Sequence, residues 1–165
     1  MPSDPAYYRA MRNLRRISFG ATSATVTSMG LIIGLGAAAA EKATILSGLL
    51  IVALADNLTD SLSLHVYQEA ERLNDRAAFR ATLTNFGARV LVALTFVLVV
   101  LLLPAPYAGV VALVWGVLLL ATLSYLVART RAVPPWSEVG KHVGVSALVI
   151  GASRLIGTWI AQYVQ

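Results

Sequence analysis

The hydrophobic positions fall into five long runs, each about 20 residues, broken by short polar or proline-containing stretches. They cover 17–40, 43–67, 83–103, 107–128 and 139–163. Each is long enough to cross a hydrocarbon core of about 30 Å as a helix, and isolated strands do not survive there. The expected architecture is all-α: a polytopic membrane bundle of five transmembrane helices in a single domain spanning 1–165. The break at 41–42 holds only Glu41 and Lys42, and Pro104-Ala105-Pro106 marks a turn between the third and fourth runs. Val133-Pro134-Pro135-Trp136 is a short loop, with Trp136 placed as an interfacial anchor. The charged stretch 68–80 reads as an exposed extension of the second helix leading into the third.

The second run departs from the others. After an apolar first half it carries Asp56, Asn57, Thr59, Asp60, Ser61, Ser63, His65 and Gln68. Two carboxylates inside a span cost about 5–7 kcal/mol on insertion scales, and the ten Leu, Ile and Val between Ile45 and Leu64 return only about 3–6. A helix so balanced must face other helices or a wet cavity. Asp56 and Asp60, four residues apart, share a face that Ser63 and Tyr67 continue. An oxygen lining of this kind suits a hard or borderline divalent cation or a proton relay. His65 with Glu69 lies on another face and is a second candidate ligand pair; a structural hydrogen bond is the plainer role for a single histidine.

A structural alternative exists for the two acids. Arg154 lies deep in the fifth span and needs a counter-ion, whereas Arg89, near the start of the third, can snorkel to the interface. Asp56 or Asp60 can therefore pair with Arg154 or Arg89 and tie helices together. The first span carries Thr22, Thr25 and Met29 on one stripe, and Gly30 and Gly34 at GxxxG spacing. Packing, including packing across a dimer axis, explains this stripe; were it to line a pathway, Met29 would offer a soft thioether ligand.

Composition agrees with the pattern. The 165 residues are 58% hydrophobic, with mean hydropathy +0.73, too apolar for a soluble domain. Most of the thirteen Lys and Arg behind the net charge of +5 gather in the N-terminal segment, the 68–82 segment and the 129–141 loop, not on a nucleic-acid surface. The positive-inside rule then puts the N-terminus in the cytoplasm and the C-terminus outside, in an integral multi-pass protein of the cell membrane if the source is prokaryotic. The basic start, apolar run and Ala37–Ala40 before Glu41 also fit a secretory signal, and Arg15-Arg16 a twin-arginine one. The first run exceeds the 7–15 residues of a signal core and further spans follow, so it reads as a span. With no cysteine there is no disulfide and no thiolate site. No nucleophile elbow, phosphate loop, zinc-protease motif or dinucleotide fingerprint is present, so no enzyme and no resident cofactor are expected.

Two stretches resemble the vacuolar iron transporter family. One is Phe19-Gly20-Ala21 with the small, hydroxyl-rich run to Gly34-Leu35-Gly36-Ala37; the other is Leu54-Ala55-Asp56 with Asp60-Ser61-Leu62-Ser63. Arg154-Leu155-Ile156-Gly157 is similar to that family's last helix. The resemblance implies a homodimer joined through the first helices, moving Fe²⁺ or a related divalent cation out of the cytoplasm in exchange for protons. Ser23 stands where the family has an acid, Leu64 where it has a methionine, and Tyr67-Gln68-Glu69 where it has Gly-Glu-Tyr. The family's glutamate-rich cytoplasmic metal-collecting helices are missing or reduced to 68–80. The competing expectation is a non-transporting membrane scaffold or partner subunit held by Asp–Arg ties.

Overall fold

The computed structural model describes residues 5–70 and 75–164. Among them all regular structure is helical, with no strand: α1 (Pro5–Ala37), α2 (Lys42–Ile51), a π-helical segment (Val52–Asp56), α3 (Asn57–Ala70), α4 (Asp75–Leu102), α5 (Ala105–Thr130) and α6 (Pro135–Tyr163). Five helical stretches are long and apolar enough to cross a membrane: Ile17–Ala37, Lys42–Ala70, Ala78–Leu102, Ala105–Thr130 and Pro135–Tyr163. Each expected apolar run corresponds to one of them, although the first helix stops at Ala37, short of 40, and the third at Leu102, short of 103. Residues 71–74, inside the charged stretch expected to be helical, lie outside the described residues. Helix α4 begins at Asp75, before the expected 83, because the polar residues that precede its apolar run are compatible with helix and carry no proline or glycine to stop it.

The helix ends follow local chemistry. Pro104 and Pro134 precede α5 and α6, each of which has a proline in its first turn, where the missing N–H costs nothing. Helix α1 stops in a Schellman turn: Ala40 N–H donates to the Leu35 carbonyl at 3.0 Å and Ala39 N–H to the Gly36 carbonyl at 3.1 Å. The turn holds Ala39 at φ 55°, and a matching turn after α5 holds Ala132 at φ 54°, a conformation that glycine adopts without cost.

Helix α1 is the hub. It packs against α2, α4, α5 and α6, and half of its span is buried, the largest share of any. Small residues let its neighbours approach. A β-carbon on Gly20 would collide with Asn85 and Arg89 of α4, and one on Gly157 of α6 would collide with the Gly34 carbonyl. Gly116 of α5 seats the Met29 thioether in the same way. Helix α5 turns a stripe of mostly small residues inward, with Ala108, Ala112, Gly116, Leu120, Ser124 and Ala128 four apart. Met29, Ile32, Leu49, Phe96, Val100, Ala112 and Leu120 form the apolar core. The outer faces carry large apolar side chains, including Leu91, Leu98, Leu118, Val145, Leu148 and Leu155.

Candidate functional site

The second span is not one regular helix. At Val52–Asp56 it widens to π geometry, so the Asn57 backbone N–H reaches back to the Val52 carbonyl. A π segment inserts one residue into the helical register and loosens the backbone ladder around it. The Asn57 side chain mends part of that ladder: its amide donates to the Ala53 carbonyl at 2.8 Å. The carbonyl of the same side chain then accepts from Arg89 Nε of α4, also at 2.8 Å.

Arg89 is the centre of the site. Its side chain has no exposed surface, an extreme state for a guanidinium. Its Nη2 lies 2.6 Å from Asp60 Oδ2 and 3.3 Å from Asp56 Oδ2. The buried arginine thus reaches outward to two acids, each with 45% of its side chain exposed. With all three ionised, two negative charges meet one positive, and the cluster retains a net charge of −1. The remaining arginine nitrogen, Nη1, is buried and has no hydrogen-bond partner.

The arginine's depth corrects one expectation. Arg89 does not snorkel to an interface; Asn57, Asp56 and Asp60 hold it inside. Neither aspartate pairs with Arg154. Arg154 is exposed, and no hydrogen bond or ion pair engages its guanidinium among the described residues. The helices explain this: α3 packs on α4, which carries Arg89, and has no substantial contact with α6.

The α3–α4 seam continues the cluster as a polar ladder. Asn85 Nδ2 donates to Ser61 Oγ at 3.4 Å, one turn from the Asn57–Arg89 contact. One turn further, Thr82 Oγ1 lies 3.4 Å from His65 Nδ1. His65 Nε2 in turn meets Glu69 Oε1 at 3.3 Å. Asn85 Oδ1 and Gln68 Oε1 are buried without partners. Polar groups thus line the seam from mid-span towards the end of α3. Gly20 of α1 closes its inner side against Asn85 and Arg89.

The expected site residues fall into three places. Asp56, Asp60, Ser63 and Tyr67 lie together on the outer face of the second span; Ser63 Oγ donates to the Thr59 carbonyl at 3.0 Å, and Tyr67 is 63% exposed. His65 and Glu69 form a pair of their own, His65 sitting about 7 Å further along the axis than Asp60. Met29 is fully buried in the apolar core against Gly116, in contact with neither group. Thr25 donates back to the Ala21 carbonyl at 2.7 Å, the packing role expected for the hydroxyls of the first span. Among the described residues, no three His, Asp or Glu side chains converge as a metal cage would need. For a divalent cation the two aspartates alone would supply only part of a ligand set. The rest would come from hydroxyls, water or a second copy.

Comparison with known protein families, curated proteins and solved structures returns no match.

Asn57, Ser61, Thr82 and Asn85 are the members that sequence reasoning did not assign to the site. Asn85 and Arg89 did leave a signal: two strongly polar residues four apart at the edge of an apolar run.

Proposed function

We propose that this chain is an integral multi-pass membrane protein, N-terminus cytoplasmic, that transports divalent cations of the iron or manganese type out of the cytoplasm, coupled to protons. The belt of large apolar side chains on the outer faces supports insertion, since a surface of that extent is unstable in water. The clustering of Arg and Lys into alternate connections supports the orientation. The resemblance to vacuolar iron transporters supports the class of cargo and a homodimeric assembly.

One observation carries the transport reading. Asp56 and Asp60 share a single buried guanidinium, and each keeps nearly half of its side chain exposed. A purely structural tie balances its charges and hides the acids. Here the cation is hidden and the acids are presented. Lipid is the wrong environment for that face, so a wet cavity or a second copy covers it. Thr59, Ser63 and Tyr67 extend the same face and supply further oxygens. In this reading a cation displaces part of the Asp–Arg contact, and protons returning to the carboxylates release it.

The test is Fe²⁺ or Mn²⁺ flux into proteoliposomes. Asp56→Asn keeps Asp60 against the buried guanidinium, so it should fold and lose at least about tenfold in flux, consistent with removal of one charged ligand. Flux equal to that of the unaltered protein defeats the assignment. A second reading, a non-transporting scaffold or partner subunit, rests on the full burial of Arg89 and its bond to Asn57. It requires liposomes bearing the unaltered protein to take up no more metal than empty ones.

A further inference from the structure

Arg154 is left over by everything described so far. It lies nine residues before Tyr163, the last residue of α6, or about 13 Å along the axis. Between them Trp159 and Tyr163 place their rings 6.1 Å apart, as residues of an aromatic interfacial belt do. Arg154 thus sits just inside such a belt, where a guanidinium reaches the headgroup layer. It also lines a cavity of about 370 Å³ formed where the last turns of α1 and α4 and the outer part of α6 meet the starts of α2 and α5.

The second cation at this cavity is Lys42. Its Nζ donates to the carbonyls of Leu101 at 2.8 Å and Leu103 at 3.2 Å, which fixes the ammonium at the rim and leaves a proton to donate. Ala105, the first residue of α5, also lines the cavity and brings the positive end of that helix to it. No acid is among the lining residues. Glu41, beside Lys42 in the chain, is exposed and forms no side-chain cap on α2. The other walls are apolar, including Ile33, Val100 and Val110. Val110 is also 64% exposed, so this wall opens onto the outer apolar surface.

We propose that this cavity holds the phosphate head of a phospholipid, paired with Arg154 and Lys42, with the first part of an acyl chain on the apolar wall. The proposal rests on the membrane reading but not on transport. Two cations and a helix N-terminus select an anion. An apolar wall continuous with the lipid-facing surface selects an amphiphile over a free ion.

The experiment is native mass spectrometry of the full chain in detergent, titrated separately with phosphatidylglycerol, phosphatidylcholine and inorganic phosphate. Phospholipid should be retained, and Arg154→Gln should weaken it at least about tenfold, the effect expected from losing a charge-assisted contact to phosphate. Arg154→Lys should keep part of the binding. Gly36→Leu is the independent variant: Gly36 lines the cavity with open space at its β-carbon, so the new side chain fills the site with Arg154 intact. It should weaken lipid to a similar degree. The Asp56→Asn protein should bind lipid unchanged, which separates this site from the transport reading. Retention undiminished in both Arg154→Gln and Gly36→Leu overturns the proposal. So does displacement of the lipid by millimolar inorganic phosphate, which would make this a site for soluble anions.

Discussion

Arg89, with no exposed surface, holds Asp60 at 2.6 Å, while Asp60 keeps 45% of its own side chain exposed. The burial is lopsided, and so are the expected costs of breaking the contact. Removing the cation leaves two carboxylates without a counter-charge; removing one carboxylate leaves a balanced pair. Arg89→Leu should therefore destabilise the fold by about 1–3 kcal/mol, because the carboxylates it strands are half-exposed while the buried Asn57 carbonyl loses its donor. Asp56→Asn, which loses the longer contact at 3.3 Å, should cost much less. Arg89→Lys should fall between, because it keeps charge and loses the Nε donation to Asn57. Denaturant titration in detergent micelles ranks the three, and an Arg89→Leu protein as stable as the unaltered one removes the cluster from the account of folding.

Close approach at glycine gives a second ranking. Gly20→Ala and Gly157→Ala each put a methyl group into occupied space, against Asn85 and Arg89 in one case and the Gly34 backbone in the other. Both should cost about 1–3 kcal/mol, as overpacking does. Gly144→Ala on α6 meets nothing within 4 Å and should be neutral or stabilising by up to about 1 kcal/mol, since alanine is the better helix former. Parallel thermal melts decide this, and equal shifts in all three variants would mean that the helices are not packed this closely.

The two left-handed alanines predict the opposite sign. Ala39 and Ala132 occupy the Schellman position that favours glycine. Ala39→Gly and Ala132→Gly should each stabilise by about 0.5–1 kcal/mol, the strain relieved exceeding the added freedom of the unfolded chain. A fall in melting temperature for both would contradict these turn conformations.

The spans were legible because a bilayer-length apolar run is a one-dimensional signal. So was the location of buried polarity, since Asp56 and Asp60 stand out against the leucines around them. The choice of partner was not legible. Arg154 looked the needier arginine by depth alone, yet depth does not say which helix is adjacent, and α3 lies on α4. The π segment hid more. Its extra residue rotates everything after Asp56 relative to α2, bringing Asn57 inward to Arg89 while the aspartates stay at the rim. No spacing rule applied to a regular helix places Asn57 there. Met29 was ambiguous for a different reason: a thioether serves equally as ligand or filler, and only the cavity left by Gly116 resolves it.

The absence of cysteine allows a direct test of what covers the second span's polar face. Thiolate forms only in contact with water, so a membrane-impermeant maleimide labels wet positions and spares those facing lipid. Ser63→Cys lies on the exposed face one turn from Asp60, and Leu118→Cys lies on the outer face of α5, 56% exposed. Exposure in the isolated chain is thus comparable, and only the surroundings differ. If the aspartates line a passage for ions, Ser63→Cys should label at least about tenfold faster than Leu118→Cys in intact proteoliposomes, and bound divalent cation should slow it. Labelling Ser63→Cys as slowly as Leu118→Cys would mean that the face is dry, and two half-exposed carboxylates in a dry environment would then be expected to lie against a second protein surface instead of a path for ions.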